Sequence, residues 1–233
     1  MWPTDADALR TRQHELAALT PTAWTPPGSG LRTGGCWVCF PRGYAGPGGA
    51  GDPAWGAAVV VSDTEPADRH VRTAAAGSPY LPGLLALRIG ALVEQLVRSL
   101  ARAPDVLLVD ATSRDHPRRA GLALHLGAEL GVPTVGVTDR PLLAEGPWPG
   151  TDRGATSPLR IGDEVVGCWL RTSPGGRPLV VHPGWRVSLH DAVGVVARST
   201  CRYRTPEPLR LARQAAREAR SGGVCGTEGR NAG

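Results

Sequence analysis

A chain of 233 residues with 41% hydrophobic residues can bury a full core, which excludes the disordered and fibrous classes and makes one domain the simplest expectation. The formal charge is +5 and all 26 basic residues are arginine, which favours an anionic partner met by planar, bidentate contacts. Five irregularly spaced cysteines (Cys36, Cys39, Cys168, Cys201, Cys225) and a polar amino terminus argue against a secreted disulfide framework or a signal peptide; no window approaches the roughly 20 apolar residues of a membrane span. The expectation is a soluble, cytoplasmic monomer with no membrane partner.

Leu9, Leu16 and Leu19 recur at loosely helical spacing and predict a short amphipathic helix over residues 4–19. Residues 20–31, rich in Pro and Gly, predict a loop. Residues 33–40 and 56–62 predict two strands and residues 69–75 a weaker third, together a β-meander. The string SPYLPG at 78–83 is a rigid connection, since each proline restricts itself and its predecessor. A strong amphipathic helix follows over 84–100, with Leu84, Leu85, Leu92, Leu96 and Leu100 as its core stripe.

Next come a strand at 105–110, a helix at 119–130 and a strand at 133–137, then a hairpin from 165–171 and 178–182. Ser188 with Asp191 three residues on marks another helix start. Residues 209–220 form a final basic helix whose Arg210, Arg213, Arg217 and Arg220 share one stripe, a pattern that usually marks a solvated face but on this fold could also extend a nucleic-acid footprint. The domain therefore runs over 1–220, with 221–233 a disordered tail. A meander followed by αβαβ units predicts an α/β fold: a central mixed β-sheet flanked by helices.

The chemistry concentrates in residues 105–137. Asp110 closes the apolar run Val106–Val109, so its carboxylate stands at the carboxyl end of a strand, where ligands and metals collect in open α/β sheets. Arg114, His116, Arg118 and Arg119 then supply donors suited to a phosphate backbone. Tyr80, set between two prolines, suits either stacking on an unpaired base or burial within a turn. Cys36 and Cys39 form a C-x-x-C on a strand, where residues three apart point to opposite faces, so they read as apolar filler. Gly46, Gly48 and Gly51 match G-x-G-x-x-G but join two strands without opening a helix, and carry no phosphate-loop reading.

Five strings in order resemble the endonuclease V family: PYLPG at 79–83, the strand aspartate followed by HPRR at 110–119, GVPTVGV at 131–137, WRVS at 185–188 and YRTPEPLR at 203–210. The resemblance spans roughly residues 8–215. It implies an RNase H-like fold, DNA-repair nuclease activity on deoxyinosine- or inosine-containing DNA or RNA, and Mg²⁺ held by four acidic positions. It further implies that Tyr80 is a wedge entering the duplex, that Pro82 and Gly83 leave space for the flipped base, and that His116, Arg118 and Arg119 contact nucleic acid.

The four acidic positions are mostly substituted. By this resemblance the first is Trp37, the second Ile89, the third Asp110 and the fourth His190, while the family's catalytic lysine is lost, with Asp139 or its neighbours in its place. Only Asp110, and in a weaker sense His190, remain as metal ligands. Mg²⁺ demands near-octahedral oxygen donors, which indole and isoleucine do not offer. The expectation is that Trp37 and Ile89 fill the vacated site and that cleavage is impaired or lost, making the chain a pseudoenzyme candidate. Two alternatives stay open: a repurposed enzyme acting on a small purine-like substrate, and a replacement site from Asp110, Asp139, His190 and Asp191 holding Mn²⁺, Fe²⁺ or Zn²⁺.

Overall fold

The computed structural model describes residues 2–43, 46–62 and 65–222. Asp5 opens helix α1 (Ala6–Ala18) by accepting the backbone N–H groups of Asp7 and Ala8. The meander follows as β1 (Arg32–Cys39), β2 (Pro53–Ser62) and β3 (Glu65–Ala75), then α2 (Leu85–Arg98), β4 (Val106–Val109), α3 (Leu122–Leu130) and β5 (Thr134–Thr138). The second half holds β6 (Thr156–Ile161), β7 (Glu164–Leu170), β8 (Leu179–Pro183), α4 (Leu189–Arg198) and α5 (Glu207–Gly222).

All eight strands join one sheet in the order β3-β2-β1-β4-β5-β8-β7-β6. The β1–β4 and β4–β5 pairs are parallel and the others antiparallel, so the expected mixed sheet is present. The short run Val106–Val109 is buried on both faces, as a central parallel strand requires. Its alternate side chains divide the core. Leu107 and Val109 pack with Leu9, Leu92, Leu96 and Leu126 beneath α1, α2 and α3. Val106 and Leu108 face the other way and meet Val195, Val196 and Leu209 of α4 and α5.

Four readings need correction. The α1 stripe does not end on Leu19, which is 45% exposed; buried Gln13 fills the middle of it, since its amide has partners described below. Strand β6 was not expected, because TSPLRI carries a proline and buries only Leu159; it is an edge strand, where proline is tolerated. The basic stripe of α5 is only partly a solvated face: Arg217 is exposed while Arg210, Arg213 and Arg220 are half-buried, because α5 lies along β1 and β2 and buries Ala212, Ala215 and Ala216. It comes so close that a Cβ on Gly35 would stand 2.4 Å from the carbonyl carbon of Pro208. Helix α5 also runs to Gly222, past the expected boundary, and residues 223–233 lie outside the described residues. Among those described, no helix is long and apolar enough to cross a membrane.

Candidate functional site

Strand register brings Trp37 and Asp110 together. Cys36 pairs with Val109 across the parallel β1–β4 ladder, so the next residues on each strand stand side by side on the face covered by α5. Trp37 Nε1 donates to Asp110 Oδ2 at 2.7 Å. The two line a cavity of about 200 Å³ with Val137, Thr138, Asp139, Thr205 and Arg213. Asp110 opens to solvent at the mouth, yet crowding by surrounding protein raises its carboxyl above the ordinary value. The Trp37 bond and the Arg213 charge pull it down, and Asp139 pushes it up.

Arg213 was read only as one member of the α5 basic stripe and not as a neighbour of Asp110. Its guanidinium carbon lies 5.7 Å from the Trp37 ring centroid and that of Arg217 lies 5.3 Å from it. Arg213 Nε is buried with no hydrogen-bond partner among the described residues, a cost of about 1–3 kcal/mol for an unsatisfied donor. The signal available was the i, i+4 spacing of Arg213 and Arg217; the register of α5 on β1, set by Gly35, was not visible.

The other expected metal-site residues are elsewhere. Ile89 is partly buried against the core on the α1–α3 face and does not line the Asp110 cavity. His190 is exposed and, with Asp191, lines a separate cavity beside residues 26–31 and Arg198. Asp191 exchanges hydrogen bonds with Ser188 at the α4 amino terminus. Asp139 pairs with Arg204 at 2.7 Å. The alternative site of Asp110, Asp139, His190 and Asp191 is therefore not assembled: two of its members face one cavity and two another. Among the described residues no group of three His, Cys, Asp or Glu is placed to hold a metal. Cys36 and Cys39 point to opposite faces as expected, into different clusters.

Mg²⁺ does not fit this donor set. Asp110 has one oxygen engaged by an indole N–H, the other lining carboxylate, Asp139, is paired with Arg204, and the Arg213 guanidinium lines the same cavity. A hard dication needs several oxygen donors and no neighbouring positive charge.

The second element of the site is a clamp. Gly83 has φ 74°, a left-handed backbone that favours glycine, and a Cβ there would meet Arg118 Nη2 at 3.1 Å. Its carbonyl accepts from three side chains: Gln13 Nε2 at 3.1 Å, His116 Nε2 at 3.0 Å and Arg118 Nη2 at 2.7 Å. The Arg118 backbone N–H donates to His116 Nδ1 at 3.2 Å, which fixes the neutral Nε2–H tautomer. Burial pushes His116 down to about 4. Arg118 also bonds Gln13 through Nε. Arg119 takes a left-handed φ of 56° and reaches Glu164 at 3.4 Å. Thus His116 and Arg118, expected on phosphate, spend donors internally, while Arg119 makes an ion pair and keeps a buried Nη1 without a partner among the described residues. His116 and Arg118 hold the Pro82–Gly83 turn, and Arg119 serves the β7 edge.

The turn they hold presents Tyr80 and Leu81 at 48% and 40% exposure, with Pro82 also exposed. Behind it, Tyr80 N–H bonds the Pro47 carbonyl at 2.7 Å, and buried Arg88 bonds the Ser78 carbonyl and pairs with Asp52 at 3.0 Å. Asp115, fully buried, accepts the backbone N–H groups of Leu142, Leu143 and Ala144 at 2.7–2.8 Å. This carboxylate joins the clamp loop to the segment that follows Asp139.

The family model described as Endonuclease V matches residues 45–214, beginning just beyond β1 and its Trp37. The chain belongs to the endonuclease V family. Endonuclease V of Roseiflexus castenholzii is 37% identical over 224 residues, covering 94% of this chain and 95% of that protein. The crystal structure of endonuclease V from Streptomyces avermitilis superposes with a TM-score of 0.86 at 33% identity, over 96% of each chain. Endonuclease V of Ciona intestinalis, solved in complex with a 24mer DNA containing an inosine followed by a ribo-adenosine, shares the fold at TM-score 0.76 and 22% identity, over 93% of this chain and 97% of that one. With these likenesses the RNase H-like assignment of the mixed sheet stands.

Proposed function

We propose that this endonuclease V family member binds inosine- or deoxyinosine-containing nucleic acid, as a monomer, and that its Mg²⁺-dependent phosphodiester cleavage is lost. One observation carries the reading: Asp110, the carboxylate at the end of β4, is bonded to the Trp37 indole and faced by Arg213. Two-metal hydrolysis needs bridging carboxylates holding ions about 3.5–4 Å apart, and this pocket cannot supply them.

The binding half of the proposal rests on the clamp. A wedge that unstacks bases must be rigid, because side-chain and loop ordering subtracts from affinity. Tyr80 is displayed on a turn fixed by Gln13, His116, Arg118 and Arg88. The inosine in the Ciona complex indicates which base to offer it.

The test pairs binding with cleavage on one labelled deoxyinosine oligonucleotide. The expected result is salt-sensitive binding without nicked product in either Mg²⁺ or Mn²⁺. Metal-dependent nicking that disappears in Asp110→Ala would falsify the loss of cleavage; failure to bind any oligonucleotide would remove the binding half.

A further inference from the structure

Two arginines near the Asp110 face are neutralised, Arg204 by Asp139 and Arg210 by Glu207. Arg213 and Arg217 are not. Neither makes an ion pair with a carboxylate among the described residues, and both guanidinium groups lie over the Trp37 ring. Asp139 is paired with Arg204, Arg213 lines the cavity with Asp110, and Arg217 lies outside that lining but on the same indole, so with Arg217 counted the local balance is positive. The same balance that repels a dication attracts an anion.

We propose that Arg213, seconded by Arg217, is the built-in cation of this pocket and takes a phosphodiester group of the bound strand without any divalent ion. This rests on the nucleic-acid reading above and adds the mode of binding. A guanidinium suits the task because its planar fork meets two phosphate oxygens at once. Arg213 brings a guanidinium with no ion pair among the described residues, and its Nε, though buried, has no hydrogen-bond partner there. Trp37 has two functions here: its N–H occupies Asp110, and its ring carries the two guanidinium groups, a cation–π support that restrains their reach. Asp110 is then a residual repulsive charge beside the phosphate, the reverse of a metal ligand's role.

That reversal supplies the experiment. Fluorescence anisotropy would follow wild-type protein and the variants Arg213→Gln, Arg217→Gln and Asp110→Asn on a deoxyinosine oligonucleotide, in EDTA and in Mg²⁺. Wild-type affinity should be the same in both buffers within about twofold. Arg213→Gln should bind about tenfold more weakly, with the slope of log affinity against log salt reduced by about one. Asp110→Asn should bind as well as wild type or a few-fold better.

Binding that requires Mg²⁺, or an Asp110→Asn loss as large as that of Arg213→Gln, overturns the proposal while leaving the nucleic-acid reading intact. No binding in either buffer overturns both. Should Arg213→Gln fail to fold, the exposed Arg217 gives the second reading: about threefold weaker binding in EDTA for Arg217→Gln supports the proposal, and no change defeats it.

Discussion

The Asp110 pocket and the Gly83 clamp draw on the same segment after β4, which supplies Asp110 and then His116 and Arg118, yet the two are built oppositely. In the pocket, an indole stands at the first expected ligand position, a guanidinium lines the same cavity, and Asp110 is tied to the indole. In the clamp, one carbonyl collects three side-chain donors and one buried carboxylate collects three backbone donors. The difference teaches that display geometry and hydrolytic chemistry are separable on this scaffold. Losing ligands costs a fold little, whereas losing a bond that shapes a turn costs the turn.

Acid should break this contrast most forcefully, because it attacks the buried imidazoles and spares the pocket. Burial holds His116 and His125 each at about 4, from an ordinary 6.5, and lowers His182 as well. As pH falls through about 6.5 the unfolded chain takes up protons that the folded chain refuses. Stability is therefore complete above that pH and drains towards pH 4, by about 3 kcal/mol per histidine. Thermal melts from pH 7 to 4.5 should show a steep decline in Tm, and His116→Asn should flatten it by its share. A Tm that holds level down to pH 5 would mean that these rings are solvated and the clamp is loose.

Asp115→Ala tests the same region without acid. It strips the acceptor from three backbone N–H groups, one of them on buried Ala144. Unfolding by denaturant should show a loss of about 3 kcal/mol, with Asp115→Asn recovering part through its one carbonyl oxygen. A change below about 1 kcal/mol would show that water replaces the carboxylate and that the clamp loop is not anchored there.

How much of this was readable in the residues follows from the same contrast. Sheet, helices and Asp110 at a strand end were legible because period-2 and period-3.6 patterns and the apolar run Val106–Val109 are local signals. The clamp was half legible. HPRR marked the right loop, but its donors looked free for phosphate because the Gly83 carbonyl that absorbs them lies more than thirty residues away. The pocket was least legible. Spacing after WRVS pointed to His190, while the residue that reaches Asp110 is Arg213, and nothing local shows which strand a helix face will meet. Edge strand β6 escaped because a half-exposed strand with a proline has almost no alternation to read.

Tyr80→Ala should separate binding from folding. The ring is 48% exposed, so the Tm should stay within a degree or two of wild type. Stacking on an unpaired base is worth about 1–3 kcal/mol, so oligonucleotide affinity should fall roughly five- to 150-fold. An unaltered affinity would assign the ring to the turn alone.

Trp37→Phe is the smallest change and the sharpest for the pocket. It keeps an aromatic ring beneath Arg213 and Arg217 and removes only the N–H that engages Asp110. Stability should fall by about 1 kcal/mol. Since that bond pulls the Asp110 carboxyl down, its pKa should rise, as followed by carboxyl-carbon NMR against pH. A raised pKa with no gain in divalent-ion binding would show that freeing one carboxylate does not rebuild a metal site while Arg213 stays. A fall in that pKa would mean that solvent entering beside the smaller ring outweighs the lost bond, and that the indole's contribution is volume rather than its N–H.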